Sequence, residues 1–150
     1  RYFNVFGPRQ DPNSPYSAVI PKFITSLLAG NSPTIYGDGE QSRDFTFIEN
    51  VVHGNLLAAE AEGIGGRSFN VANGKSTSLN NLLNQLNKLL DTDVSATYVD
   101  PRVGDVKHSL ADITLAQKWL DYEPPISFEE GLRRSIDYYR SLREVQTGSH

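Results

Sequence analysis

Six leucines set the clearest pattern in the chain. Leu79, Leu82, Leu83, Leu86, Leu89 and Leu90 recur at the i, i+3, i+4, i+7 spacing of a single helical face, and Ser78 precedes them as a cap. Ala18 to Ala29 puts Phe23, Leu27 and Leu28 on one face, with Gly30-Asn31 as the stop. A third helix is predicted from about Glu49 to Glu62, with Val52, Leu56 and Ala59 in register. Asp112 can cap a short helix through Leu120, and Ser127-Phe128-Glu129-Glu130 reads as a capping box opening a last helix to about Arg143. Between these lie β-rich runs: residues 1–6 as a buried strand, then Thr34-Ile35-Tyr36, Phe45 to Ile48, Ser68 to Ala72, and a weak strand over Ala96 to Val99. Residues 7–16 hold three prolines and several turn formers, an irregular loop. Strands and helices alternate, so the fold class is α/β.

Composition narrows the function more than the fold. The 150 residues carry 14 Lys+Arg against 18 Asp+Glu, a net charge of −4 with no basic block, which argues against nucleic-acid binding through counterion release. There is no Cys, hence no disulfide framework, thiolate metal site or Cys nucleophile. No apolar run reaches the ~18 residues needed to span a bilayer, and no membrane partner is expected. A soluble, cytoplasmic protein fits best. Arg1 opens the chain in what reads as a strand in progress, as in part of a longer protein, and residues 147–150 (TGSH) read as a tag remnant.

Candidate chemistry is sparse. Gly37-Asp38-Gly39 has only the first half of a dinucleotide fingerprint, since Ser42 occupies the third glycine position and an aromatic strand follows. The Gly63 to Gly66 cluster follows a helix and suits its C-cap. His53 and His108 have no partner at metal-ligand spacing, and no Ser lies in a nucleophile elbow. More informative are Arg43 and Asp44 directly before a strand, and Arg102 and Asp105 around Gly104. A fixed guanidinium can fork two phosphate oxygens, an Asp can accept from a ribose diol, and Tyr36 can stack on a base. Taken alone, each reads more readily as a surface ion pair or a core aromatic.

Four segments, taken in order, resemble one family: residues 1–10 (RYFNVFGPRQ), 33–52 (PTIYGDGEQSRDFTFIENVV), 69–74 (FNVANG) and 102–112 (RVGDVKHSLAD). They are similar to the C-terminal half of extended short-chain dehydrogenases/reductases, and within these to NAD-dependent UDP-sugar 4-epimerases. The resemblance implies a substrate-binding lobe of a Rossmann-type enzyme occupying residues 1–146, with 1–6 and 68–72 as orphan strands of a sheet whose other strands lie in an N-terminal NAD-binding domain. It implies that Tyr2 and Phe3 line the nicotinamide side of an NAD site held mainly by that domain. Asn4 would bond the nucleotide-sugar near its diphosphate, Ala18 and Val19 would meet the uracil or ribose through their backbone, and Thr34 and Tyr36 would flank the uracil. Arg43 and Arg102 would grip the diphosphate, Asp105 would bind the ribose, and Ser109 would face C2 of the sugar, its small side chain admitting a 2-acetamido group.

The family's reaction takes a proton from the C4 hydroxyl and passes the C4 hydride to NAD, then returns it to the other face. It requires a glycine-rich phosphate loop and a Tyr-x-x-x-Lys pair. None of the seven tyrosines has Lys four residues on; the nearest case, Tyr98 with Arg102, has a guanidinium that cannot play the tuned lysine's part. The chain is therefore expected to hold no catalytic residue and to be inactive alone. Its partners would be a UDP-sugar, its own N-terminal domain, and a second copy through the unpaired strands. Two other readings stay open: a sister dehydratase, decarboxylase or reductase, and a non-catalytic nucleotide-sugar-binding module.

Overall fold

The computed structural model describes residues 1–14 and 19–147. In chain order its elements are β1 (Val5–Phe6), α1 (Val19–Leu28), β2 (Thr34–Tyr36), β3 (Ser42–Arg43), β4 (Thr46–Phe47), α2 (Ile48–Glu60), β5 (Thr77–Ser78), α3 (Leu79–Leu90), β6 (Thr97–Val99), α4 (Thr114–Leu120) and α5 (Phe128–Thr147). The strands pair in three short ladders: β1 with β4 and β2 with β6 in parallel, β3 with β5 antiparallel.

Helix α3 follows its leucine pattern. Leu79, Leu82, Leu83 and Leu86 are buried, and Ser78 Oγ accepts from the Asn81 amide at 3.2 Å. This face meets Phe23, Ile24 and Leu27 of α1 and Leu132, Ile136 and Tyr139 of α5 in the main core, which Phe6, Ile35, Phe45 and Phe47 close from the strand side. Burying each such side chain contributes about 1.5–3 kcal/mol. A smaller core gathers Val71, Ala116, Leu120 and Tyr122 beneath α2 and α4.

Helix α2 turns the opposite way from its predicted stripe. Val52 and Leu56 are 51% and 59% exposed, Ala59 is exposed too, and the buried side is Asn50, Val51 and Gly54. Gly54 decides this orientation: a Cβ there would lie 2.7 Å from Val71 Cγ1, so the bare glycine lets the helix approach the smaller core closely. Asn50 then locks it. Its Nδ2 donates to the Ile126 carbonyl at 2.8 Å and its Oδ1 accepts from the Ile126 amide at 2.9 Å, pairing a buried side chain with the segment leading into α5.

Several boundaries differ from the sequence expectation. Residues 1–6 form a strand only at Val5–Phe6, and Tyr2 is 55% exposed. The expected strand over 68–72 reduces to one parallel bridge, Tyr2 to Val71, with the Val71 amide donating to the Arg1 carbonyl at 2.9 Å. These two segments thus find each other, but with one bridge between them neither builds a ladder. Helix α4 starts at Thr114, whose amide donates to Asp112 Oδ1 at 2.9 Å, so Asp112 stands just ahead of the cap. Hydrogen bonding from the Thr114 side chain and amide holds the Asp112 carboxyl below the usual carboxylate range. Only half of the capping box at α5 forms: Ser127 Oγ accepts from the Glu130 amide at 3.2 Å, while the Glu130 carboxylate turns to Arg133 and Arg134. Helix α5 also runs past Arg143 to Thr147, the first residue of the expected tag.

Asn50→Ala should lower unfolding stability by about 2 kcal/mol, because it strands the Ile126 carbonyl and amide. A urea titration reads this as a lower midpoint at unchanged slope. A loss below about 0.5 kcal/mol, the scale of a neutral surface change, would contradict the pairing.

Candidate functional site

Strand β3 is held on both sides. β5 pairs Ser42 with Ser78 and Arg43 with Thr77, while on the other edge the Ser42 amide donates to the Lys107 carbonyl at 2.8 Å and the Ser109 amide to the Ser42 carbonyl at 3.0 Å. Ser42 Oγ and His108 Nδ1 add a side-chain bond of 2.9 Å. Sequence positions more than sixty apart thereby become neighbours, and the 102–109 segment lies against Arg43.

Asp44, the next residue, is fully buried. Its carboxylate accepts from the amides of Asn73 and Gly74, both at 2.9 Å, and of Ala111 at 3.4 Å. Burial pushes its pKa up, with the three amides pulling the other way. Nearby, Tyr122 donates to the Ala72 carbonyl at 3.0 Å; burial, reinforced by the Asp44 charge, pushes its phenol up to about 12. A single side chain therefore ties β3 to the Asn73-Gly74 turn and to the start of the segment leading into α4.

With its backbone fixed, the Arg43 guanidinium is aimed. Nη1 donates to the Ser42 carbonyl at 2.8 Å and the Lys107 carbonyl at 3.4 Å, and Nη2 donates to Asp105 Oδ1 at 2.6 Å. Arg102 takes a different posture, 3.9 Å above the Tyr36 ring. That guanidinium, aided by the Lys22 ammonium, holds the Tyr36 phenol below its ordinary value. Tyr36 itself is presented by β2, whose parallel register with β6 (Tyr36 opposite Val99) is continued by the Gly37 amide on the Val99 carbonyl at 2.8 Å. Gly39 keeps this turn tight: its φ is +78°, and a Cβ there would strike Asn80 Oδ1 at 2.0 Å.

Asn4, Val19, Thr34, Tyr36, Arg43, Arg102 and Asp105 line one cleft of about 680 Å³, within the size range of small-molecule sites. Asn4 enters it with φ +34°, an unusual conformation for a residue with a side chain and one that Asn tolerates best, while its carbonyl accepts from the Thr46 amide at 3.2 Å. Ser109 adjoins the cleft through its bond to Ser42 without lining it. Ala18 lies outside the described residues. Tyr2 and Phe3 are not part of the cleft; the Tyr2 phenol donates to Asn55 Oδ1 at 2.9 Å on α2.

Lys22 was not singled out by sequence reasoning, although it lines the same wall with Thr25 and Ser26. The signal was there: these three form the polar i, i+3, i+4 stripe of the otherwise apolar α1. Among the described residues the cleft carries Lys22, Arg43 and Arg102 against Asp105 alone, a local positive excess in a chain of net charge −4. Such a lining suits a small dianion that also carries hydroxyls and a flat ring.

A dinucleotide finds less here. The exposed Tyr2 ring can form a wall against a flat heterocycle, but no described glycine cluster opens a helix in the way a pyrophosphate requires; Gly63 and Gly66 lie in the turns after α2. Among the described residues no group of three or more His, Asp or Glu could hold a metal ion. None of their helices is long and apolar enough to cross a membrane.

Residues 1–72 match the NAD dependent epimerase/dehydratase family. A UDP-glucose 4-epimerase of Mycolicibacterium smegmatis is 34% identical over 138 residues, 92% of this chain and 44% of that protein. A UDP-N-acetylglucosamine 4-epimerase from Methanobrevibacter ruminantium, solved in complex with UDP-N-acetylmuramic acid, superposes with a TM-score of 0.86 at 48% identity over 95% of this chain and 45% of its own. A Bacillus cereus UDP-glucuronic acid 4-epimerase variant, solved with a fluorinated UDP-glucuronic acid and NAD, gives 0.87 at 32% identity over 95% and 44%. Curated relatives also include a UDP-sugar decarboxylase and a dTDP-glucose dehydratase. This chain therefore spans a little under half the length of the proteins it matches, and it corresponds to their C-terminal part.

The raised Asp44 pKa fixes a sign for stability against pH. Between the unfolded value of about 3.9 and the higher folded one, the folded chain binds more protons than the unfolded chain. Stability from this group is complete below that interval and declines as pH rises through it. The advantage of wild type over Asp44→Asn, measured by denaturant titration at a series of pH values, should shrink from about pH 4 towards neutrality. An advantage that grows over that range would contradict the buried, desolvated carboxylate.

Proposed function

We propose, for a chain with the sequence pattern and fold of the C-terminal part of the NAD-dependent epimerase/dehydratase family, that it is the substrate-gripping lobe of a UDP-sugar 4-epimerase. The observation that carries this reading is the convergence of Arg43, Arg102, Asp105 and Tyr36 on one cleft of net positive charge. The two guanidiniums neutralise a diphosphate, whose burial otherwise costs heavily. Asp105 accepts from the ribose diol, and Tyr36 and Thr34 flank the uracil. Val19 brings α1 backbone to the nucleoside, a contact the family resemblance assigns to Ala18 as well, and Asn4 bonds near the diphosphate. Ser109, which adjoins the cleft through its bond to Ser42, is the residue that the resemblance sets towards C2 of the sugar, and its small side chain leaves room for a 2-acetamido group, so UDP-N-acetylglucosamine and UDP-N-acetylgalactosamine are the substrates proposed first, with UDP-glucose and UDP-galactose as further ones. The 48% identity to a UDP-N-acetylglucosamine 4-epimerase supports that order.

NAD supplies reversible hydride acceptance at C4 in such an enzyme. The contribution of this lobe is to hold the diphosphate still so that the sugar is presented to the catalytic groups, and Tyr2 and Phe3 complete a wall on the nicotinamide side. The exposed Val52 and Leu56 stripe of α2, with Tyr2 bonded beside it at Asn55, is the face that the N-terminal domain covers in the cytoplasmic enzyme. No catalytic residue lies in the chain as it stands, and it does not turn over UDP-sugars by itself.

Calorimetric titration with UDP-N-acetylglucosamine tests the grip. Arg43→Ala and Arg102→Ala should each weaken binding by roughly tenfold or more, the loss of one charge-assisted contact. Ser109→Tyr should weaken UDP-N-acetylglucosamine by about tenfold while sparing UDP-glucose. Equal affinity in wild type and both arginine variants would remove this reading, and an unselective Ser109→Tyr would remove the sugar assignment.

A further inference from the structure

Arg43 and Arg102 stand in the same cleft under unlike conditions. The Arg43 side chain is only 16% exposed, its Nη1 is committed to two backbone carbonyls, and its Nη2 is engaged by Asp105 at 2.6 Å. Asp105 is the more open partner, 42% exposed, on a turn made by Gly104 at φ +83° and closed by the Asp105 amide on the Arg102 carbonyl at 3.3 Å. Arg102 packs over Tyr36 instead. An anion approaching Arg43 from the cleft must therefore displace the Asp105 carboxylate or share the guanidinium with it.

We propose that Asp105 is a selectivity filter, which makes the cleft discriminate against bare phosphate and pyrophosphate in favour of diphosphates that carry a ribose. The proposal rests on the nucleotide-sugar reading above and adds to it what the Arg43–Asp105 pair does. A carboxylate only accepts hydrogen bonds. To a bare anion it offers repulsion and competition for Arg43. To a nucleoside diphosphate it offers an acceptor for the two hydroxyls of the ribose, so the same ligand that takes Arg43 away from Asp105 gives Asp105 new partners. Selection by a built-in repulsive group, relieved only by the right ligand, is a general route to specificity. Inorganic phosphate and pyrophosphate are anions against which a cleft carrying three cations otherwise has little defence.

The test is calorimetric titration of the 150-residue chain and its Asp105→Asn variant with UDP and with inorganic pyrophosphate at fixed ionic strength. Wild type should prefer UDP to pyrophosphate by about a hundredfold or more. Asp105→Asn should bind pyrophosphate roughly tenfold more tightly and UDP roughly tenfold more weakly, contracting the preference by two orders of magnitude. Asp105→Ala should shift both ligands in the same directions, which separates loss of the carboxylate from any new bond of the introduced amide. If UDP binds wild type but pyrophosphate affinity is unchanged or falls together with that for UDP in both variants, Asp105 merely holds Arg43 in place and the filter is overturned. If wild type binds pyrophosphate but no UDP, the nucleotide reading itself fails and the filter with it.

Discussion

A buried carboxylate with no cation paired to it among the described residues organises this molecule. Asp44 is fully enclosed, and its two oxygens receive three backbone amides from Asn73, Gly74 and Ala111. Without it those amides would lie unpaired in the interior, a cost of about 1–3 kcal/mol each. Through it, β3, the Asn73-Gly74 turn and the approach to α4 become one unit. The Arg43 side of the cleft follows from β3 being held: the Arg43 guanidinium is aimed by the Ser42 and Lys107 carbonyls, and residues 107–109 dock on the free edge of the strand.

The placement explains how an acidic chain presents a positive site. Outside the cleft much of the charge is solvated, as in the α5 pairs of Arg133 and Arg134 with Glu129 and Glu130, where exposed ion pairs contribute little. In the cleft the cations are instead constrained. Arg43 is pinned by carbonyls and Arg102 by the face of Tyr36, while Lys22 projects from the polar stripe of α1. A guanidinium whose orientation is fixed before its ligand arrives loses less entropy on binding. Asp105 tempers that field, so the site is polar and directional and not merely an attractor of anions.

Local chemistry made much of this legible from sequence. The leucine repeat of α3 and its Ser78 cap, the β2 strand and the turn after it, and the α1 stop at Gly30-Asn31 all rest on short-range rules, and each formed. What could not be read depended on distant partners. The orientation of α2 was set by Gly54 against Val71 and by Asn50 on Ile126, so a plausible apolar stripe at Val52 and Leu56 ended outside. The run 68–72 had strand propensity but met only Arg1 and Tyr2. Asp44 stood out in sequence only as the neighbour of Arg43, because the amides it satisfies lie 29 to 67 positions away. The gathering of Asn4, Thr34, Tyr36, Arg43, Arg102 and Asp105 was likewise invisible to spacing and came from family resemblance; the cleft then brought these residues together.

The central claim is that a nucleotide-sugar occupies this cleft and no other surface. The most direct measurement is a backbone amide NMR titration of the chain with UDP-N-acetylglucosamine. Perturbations should concentrate at Asn4, along the Val19 to Ser26 turns of α1, at Thr34 to Tyr36, at Arg43 and from Arg102 to Asp105. Perturbations centred on the Gly63 to Gly66 turns or on the exposed face of α2, with the cleft amides unmoved, would contradict it.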